Sequence, residues 1–166
     1  MILKKTCWYT CIHPLRIGAI IGTKGKINPE KFDRLGYFMG TSFQIQDDVL
    51  NLIADGQKYG KEIGGDILEG KRTLMLIHLM EHCTPEELAD ILQFLSIPIQ
   101  QRQPAKAKEI LEMMHAYGSI AHATHTARYL AGAALKEFYT IFSRLPDSED
   151  KSLIETIIIY MINREY

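Results

Sequence analysis

Apolar positions follow a helical period, and not a strand period, along most of the 166-residue chain. No stretch alternates apolar and polar residues as a half-buried strand does. Between Ala105 and Leu145 the apolar residues recur at steps of three and four, which marks the buried face of a helix. This segment is expected to form one long helix, or two helices that break near Gly118, and a last helix should follow from about Glu149 to Arg164. The pattern therefore predicts an all-α protein built as a packed helical bundle.

Two helix starts can be read from capping signals. Asn28-Pro29-Glu30 places a capping side chain, a proline and an acid in the order that begins a helix, and this helix should continue to about Leu52. Thr84-Pro85-Glu86-Glu87 is a second start of the same kind. Gly36 and Gly40 lie within the first helix, where a glycine costs about 1 kcal/mol. Their presence predicts the close approach of a neighbouring helix or of a ligand.

Size and charge suit a single globular domain, which we take as residues 1–166. The formal net charge is −1, so no overall basic field attracts nucleic acid. The most apolar late run, Leu153 to Ile162, is too short to span a bilayer and contains Glu155, so no membrane span is expected.

The cysteines indicate a reducing compartment. Cys7, Cys11 and Cys83 are an odd and sparse set, which favours free thiols and a cytoplasmic location. Cys7 and Cys11, with His13 nearby, leave a metal site conceivable, but two small buried thiols are the simpler interpretation.

One stripe of the first predicted helix is polar and consists of two carboxylate and two amide side chains. Gln44, Asp47, Asp48 and Asn51 are spaced i, i+3, i+4 and i+7, so they share a helix face. A few oxygen ligands suit magnesium, which takes its other ligands from water and phosphates. The alternative is a solvated acidic turn at a helix end.

A glycine-rich stretch with basic residues follows this stripe. Four glycines lie between Tyr59 and Thr73, together with Lys61, Lys71 and Arg72. Positive side chains near carboxylates are the arrangement required where metal ions connect a phosphate to the protein and lysines bind its free oxygens. A glycine-rich linker with scattered lysines is the alternative.

The order of these motifs resembles that of a known family. Phe43-Gln44-Ile45-Gln46-Asp47-Asp48, Gly60-Lys61, Gly65-Asp66-Ile67 and Gly70-Lys71-Arg72-Thr73 are similar to the second aspartate-rich region of the trans-isoprenyl diphosphate synthases, also called polyprenyl synthetases. Lys5-Thr6 followed by Pro14-Leu15 and Gly18-Ala19 is similar to the lysine–threonine helix that precedes that region. The resemblance covers the carboxyl-terminal half of such a synthase. It implies a helical bundle of the isoprenoid synthase type that is incomplete on its amino-terminal side.

The resemblance also implies roles for individual residues. Asp47 would be the main magnesium ligand with Asp48 in support, and Asn51 would be a weaker, neutral donor where the family pattern has a third aspartate. The implied diphosphate-binding residues are Lys5, Gln44, Lys61 and Lys71, and the implied catalytic residues are Lys5, Thr6 and Lys61.

The family joins an allylic diphosphate to isopentenyl diphosphate with Mg²⁺ as cofactor. Its first aspartate-rich motif and its isopentenyl diphosphate site lie upstream of the lysine–threonine helix, and this chain contains no other Asp-Asp pair. The isolated chain is therefore expected to be inactive and to work as part of a homo- or hetero-oligomer.

Three alternatives remain at this point. The chain can be a non-catalytic helical subunit that pairs with a full-length synthase, although its lysines and aspartates favour a catalytic segment. It can be a relative of the class I terpene cyclases, although Gly70-Lys71-Arg72-Thr73 favours the synthases. The spaced pairs His78/His82 and His122/His125 can also bind a metal, although hydrogen-bonded histidines are the usual finding for such pairs.

Overall fold

A computed structural model describes residues 2–53 and 64–163 of the chain. All regular secondary structure in these two ranges is helical, which confirms the all-α prediction. A π-helical segment, Leu3–Ile12, comes first, and short 3₁₀ turns cover Pro29–Phe32 and Ile99–Gln101. The α-helices are α1 His13–Thr23, α2 Asp33–Ile53, α3 Gly65–Glu69, α4 Leu74–His82, α5 Pro85–Ser96, α6 Pro104–Ala116, α7 Ser119–Phe142 and α8 Glu149–Asn163.

The described residues form two compact units. The first contains the chain up to Gln44 and again from Thr126, and the second contains residues 45–125. Each unit includes part of α2 and part of α7.

The first unit has an aromatic and aliphatic core. Leu35 on α2, Ala134 and Phe138 on α7, and Ile158 on α8 are fully buried and pack together. The ring of Phe138 stacks on that of Phe142 at 4.9 Å between centroids. Helices α2, α7 and α8 are therefore joined by burial of the apolar faces that their sequences predict.

Gly36 and Gly40 lie where the amino-terminal helix crosses α2. A Cβ atom on Gly40 would lie 2.7 Å from the Cα of Cys7, and one on Gly36 would lie 2.9 Å from the Cα of Ile12. Backbone atoms cannot move aside as a flexible side chain can, so only glycine fits at these positions. The predicted close approach is thus confirmed, and the approaching element is a helix.

The second unit shows the predicted helix boundaries. The Thr84 side chain accepts a hydrogen bond from the Glu87 backbone while the Glu87 carboxylate accepts one from the Thr84 backbone, a complete capping box. The long apolar pattern forms two helices, α6 and α7, because Gly118 adopts a left-handed conformation with φ +67°. Both α3 and α4 pack against α6.

Within the described ranges, no helix combines the length and the apolar character that crossing a membrane requires.

Candidate active site

Thr6 and Gln44 are in direct contact in the first unit. The Thr6 hydroxyl donates a 2.7 Å hydrogen bond to Oε1 of Gln44, and Thr6 is buried. Thr6 lies in the π-helical segment, a rare conformation that often occurs at functional sites. Lys5, the preceding residue, is exposed. Gln44, which the resemblance assigns to the diphosphate, is therefore in contact with Thr6, which it assigns to catalysis, and the cationic Lys5 precedes Thr6 in the chain.

Asp48 in the second unit is a buried carboxylate paired with a lysine. Its side chain is only 4% exposed, and Nζ of Lys71 lies 2.7 Å from its Oδ1. The same ammonium lies 2.8 Å from Oδ2 of Asp66. An ionised carboxylate is stable in such a place only with a charged or hydrogen-bonded partner. Asp47, its neighbour on α2, is half-buried.

The electrostatics of Lys71 favour its charged form. Burial alone lowers the pKa of a lysine, but the hydrogen bonds to Asp48 and Asp66 outweigh it, so the pKa of Lys71 is raised above its ordinary value. The ammonium therefore remains protonated throughout the physiological range and balances part of the charge of the two carboxylates.

Asn51 ends the polar stripe of α2 and contacts the chain that leads into α3. The Asp66 backbone N–H donates to Oδ1 of Asn51 at 3.2 Å, and the Gly64 N–H donates to its backbone oxygen at 3.3 Å. The Asn51 amide oxygen, which the resemblance assigns to magnesium, thus accepts a backbone hydrogen bond within the protein.

Arg102 organises the other end of this region, and sequence reasoning missed it. Its guanidinium donates to the backbone oxygens of Leu68 at 2.7 Å, Leu95 at 2.9 Å and Ile97 at 3.0 Å. A Cβ atom on Gly70 would lie 2.5 Å from the Nη1 atom of Arg102. The short sequence between Gly64 and Thr73 is therefore fixed in part by a residue about thirty positions away. A local motif gives no signal of such a contact.

The predicted diphosphate residue Lys61 lies outside the described residues. Within the described ranges, no three His, Cys, Asp or Glu side chains are arranged to bind a metal ion by themselves. Magnesium commonly uses one or two carboxylates and completes its shell with water and substrate phosphates, so the Asp47–Asp48 pair has the chemistry it needs.

The histidines form a stack. The rings of His82 and His122 both lie against His78, at 4.0 and 4.3 Å between centroids. His78 Nδ1 is hydrogen-bonded to Ser119 Oγ at 3.0 Å, and the His82 ring N–H donates to the His78 carbonyl at 2.7 Å. His78 and His82 are therefore hydrogen-bonded histidines, the usual finding for such pairs.

Cys7 and Cys11, the two cysteines considered as metal ligands, differ in their burial. Cys7 is fully buried and Cys11 partly so. Burial, together with Cys7, raises the pKa of Cys11 to about 11, so its thiol stays protonated.

Comparison with known proteins identifies the family of the chain. The model of the polyprenyl synthetase family matches residues 1–114, which include Thr6, Gln44, Asp48 and Lys71. The chain belongs to the polyprenyl synthetase family. A curated relative, the octaprenyl diphosphate synthase of Haemophilus influenzae, is 30% identical over 148 residues, which is 89% of this chain and 43% of that protein. The octaprenyl diphosphate synthase of Escherichia coli is 43% identical over 86 residues, or 51% of this chain and 25% of that protein.

Solved structures of polyprenyl synthetases share the fold. The geranylgeranyl pyrophosphate synthetase of Pyrococcus horikoshii is 28% identical with a TM-score of 0.72, over 93% of this chain and 46% of that one. The geranylgeranyl pyrophosphate synthase of Corynebacterium glutamicum, solved with isoprenyl diphosphate and magnesium, is 24% identical with a TM-score of 0.78, over 97% and 44%. These neighbours confirm the isoprenoid synthase type of helical fold. The chain spans about half or less of the length of the relatives that it matches.

Proposed function

We propose that this chain is the segment of a trans-isoprenyl diphosphate synthase that binds the allylic diphosphate together with magnesium. The observation that carries the proposal is Asp48, a buried carboxylate beside Asp47 that shares the ammonium of Lys71 with Asp66. Burying such a group is costly, and clusters of buried charges are typical of functional sites. The cluster lies within the residues that the family model matches.

Asp47 and Asp48 are the proposed magnesium ligands. Their carboxylate oxygens suit a hard divalent cation, whereas Asn51 offers a neutral amide oxygen that already accepts an N–H. When bound, magnesium would neutralise charge on the diphosphate and so favour its departure.

Lysines and hydrogen-bonding groups are proposed to bind the diphosphate itself. Lys5 and Lys61 would contact its oxygens directly, and Lys71 would contribute positive charge from its place between Asp48 and Asp66. Oε1 of Gln44 accepts a hydrogen bond from the Thr6 hydroxyl, which fixes the orientation of that hydroxyl. Thr6 would lie near the oxygen of the departing group.

The reaction proposed is prenyl transfer. The allylic carbon–oxygen bond breaks and its electron pair leaves with the diphosphate, which the lysines stabilise. The double bond of isopentenyl diphosphate attacks the allylic cation, a carbon–carbon bond forms, and a proton is lost. Stabilising the leaving charge with cations fixed in place is the main contribution of the protein.

We propose that a second helical segment completes the site, in a homo- or hetero-oligomer. Helix α1 leaves Ile17, Ile20 and Ile21 exposed at 53%, 44% and 72%, an unusual amount of aliphatic surface for one short helix. Gly18 and Gly22 lie among them, with no neighbouring atom near either one. Such a smooth apolar surface suits another helix. A non-catalytic subunit is not favoured, because the relatives found are isoprenyl diphosphate synthases. A cytoplasmic location remains a prediction from the free cysteines.

A transfer assay on a fusion tests this proposal. The chain replaces the matched segment of the Haemophilus influenzae synthase, and incorporation of radiolabelled isopentenyl diphosphate into an extractable product is measured with magnesium present. We expect the fusion to catalyse transfer and Asp47→Ala to abolish it. The control Asp90→Ala changes an exposed acid on α5 and should leave transfer intact. A folded fusion without transfer, or transfer that survives Asp47→Ala, contradicts the proposal. Transfer by a monomeric form of the 166-residue chain contradicts the need for a second segment.

A further inference from the structure

Both oxygens of Asn51 accept hydrogen bonds from backbone N–H groups at the start of α3. Its backbone oxygen accepts the Gly64 N–H at 3.3 Å, and its side-chain oxygen accepts the Asp66 N–H at 3.2 Å. Asn51 is in the last turn of α2, where the backbone carbonyls have no partner inside the helix. One residue of α2 therefore accepts two backbone hydrogen bonds from the start of α3.

The far end of α3 is fixed in the same way. Gly70, with φ +72°, donates its N–H to Ile67 at 2.9 Å, and the Lys71 N–H donates to the Asp66 carbonyl at 2.9 Å. This pair of bonds is a Schellman motif. It joins the backbones of Lys71 and Asp66, and their side chains form an ion pair at 2.8 Å.

The charges of this group explain the choice of asparagine. Among the described side chains of this group, Asp47, Asp48 and Asp66 are carboxylates and Lys71 is a cation, so negative charge is in excess, which suits a divalent cation. An aspartate at position 51 would accept the same N–H but would add another negative charge. Asparagine supplies the acceptor without the charge.

We propose that Asn51 is a positioning residue of the magnesium–diphosphate site and acts through Asp66. It fixes the Asp66 backbone, Asp66 shares Lys71 with Asp48, and Lys71 sets the net charge that Asp48 and Asp47 present to magnesium. This inference rests on the proposed function for the identity of the ligand. It differs from the role that the family resemblance implied for Asn51, which was that of a metal ligand.

Amide hydrogen exchange tests the first step without any ligand. In Asn51→Leu, which has a similar size but no acceptor, we expect the Asp66 amide to exchange about tenfold faster while the amides of α5 keep their rates. Asn51→Asp keeps the acceptor and should leave the Asp66 rate near that of the wild type. If the leucine variant does not fold, Asn51→Ala, which also has no side-chain acceptor, makes the same test. Unchanged exchange at Asp66 in a folded variant overturns the inference.

A double-mutant cycle tests the second step. The affinity for magnesium with inorganic pyrophosphate is measured by calorimetry for the wild type, Asn51→Leu, Asp66→Ala and the double variant. We expect Asn51→Leu to weaken binding by about fivefold, and to have no further effect once the Asp66 carboxylate is absent. Equal factors in the two backgrounds would mean that Asn51 acts independently, as a ligand does, and would overturn the inference.

The two failures can be told apart. If the wild type does not bind magnesium pyrophosphate, the proposed function fails, and the inference fails with it as a statement about that site. If the wild type binds but Asn51→Leu weakens binding by the same factor with and without the Asp66 carboxylate, the proposed function stands and only the positioning role of Asn51 is overturned.

Discussion

Lys71 lies 2.7 Å from a carboxylate oxygen of Asp48, and this ion pair is less exposed than those that Lys106 makes in the described part of the same unit. The lysine side chain is 25% exposed, whereas that of Asp48 is 4% exposed. The pair is therefore largely removed from water, and the loss of one partner should cost far more than it would at the surface.

Lys71→Met should destabilise the second unit. Removing the ammonium takes away the positive charge that lies 2.7 Å from the buried Asp48 carboxylate, and we expect the free energy of unfolding to fall by about 2–4 kcal/mol. Urea unfolding followed by circular dichroism measures the change. The matched control is Lys106→Met, because Lys106 also binds two carboxylates, Asp90 and Glu109, but these are exposed. The control should change stability by about 0.5 kcal/mol or less, and equal effects of the two changes would contradict the account.

Gly40→Ala should be destabilising where Gly132→Ala is stabilising. A Cβ atom at position 40 would lie 2.7 Å from the Cα of Cys7, whereas one at position 132, on the exposed face of α7, would meet no atom. Since alanine is the better helix former by about 1 kcal/mol, Gly132→Ala should raise the free energy of unfolding by up to that amount. Thermal unfolding of both variants measures the difference. Stabilisation by Gly40→Ala would mean that the helices do not approach as described.

Gly70→Ala tests the contribution of Arg102. Gly64 and Gly70 both have positive φ, +77° and +72°, so alanine at either position is strained by about 1–2 kcal/mol. Only at Gly70 does the new methyl group also clash with the Arg102 guanidinium. We therefore expect Gly70→Ala to be the more destabilising change in urea unfolding. Equal losses would show that Arg102 does not need the space that Gly70 leaves.

Much of the fold follows from local signals in the sequence. Thr84 with Glu87 predicted a capping box, and Gly36 with Gly40 predicted a close approach, because capping and helix packing depend on residue types at short, fixed spacings. The choice between one helix and two near Gly118 stayed open, because a glycine permits a left-handed turn without requiring one.

The candidate site was less predictable, because its contacts join residues distant in sequence. Asp48 meets Lys71 across 23 positions, and Arg102 meets the Leu68 carbonyl across 34. The helical period shows that Asn51 shares a face with Asp48, but it does not show that the Asn51 amide oxygen accepts the Asp66 N–H. The roles of Lys5 and Lys61 stay predictions.

The histidine stack should make stability depend on pH. Burial and the neighbouring His82 and His122 lower the pKa of His78, while Glu81 acts in the opposite direction. The unfolded chain therefore binds a proton more readily than the folded one, so stability is complete above the ordinary histidine pKa and is lost as the pH falls through the lowered value. We expect the free energy of unfolding to decrease as the pH falls below the ordinary histidine pKa of about 6.5.

The variant His78→Phe keeps a ring in the stack and removes the titrating group. Its stability should change less over this pH range than that of the wild type. His125→Phe, on α7, is the control, because His125 is not among the residues that shift the pKa of His78. An unaltered pH dependence in His78→Phe would show that the stack is not its source.

The most direct test of the central claim is calorimetric titration of the chain with an allylic diphosphate in the presence and absence of magnesium. The account predicts binding that requires magnesium and that weakens by about tenfold or more in Asp47→Ala and Lys61→Ala, with Asp90→Ala as the unaffected control. Binding that needs no magnesium, or that is the same in all three variants, would contradict the assignment of this chain as the diphosphate-binding segment of a prenyl synthase.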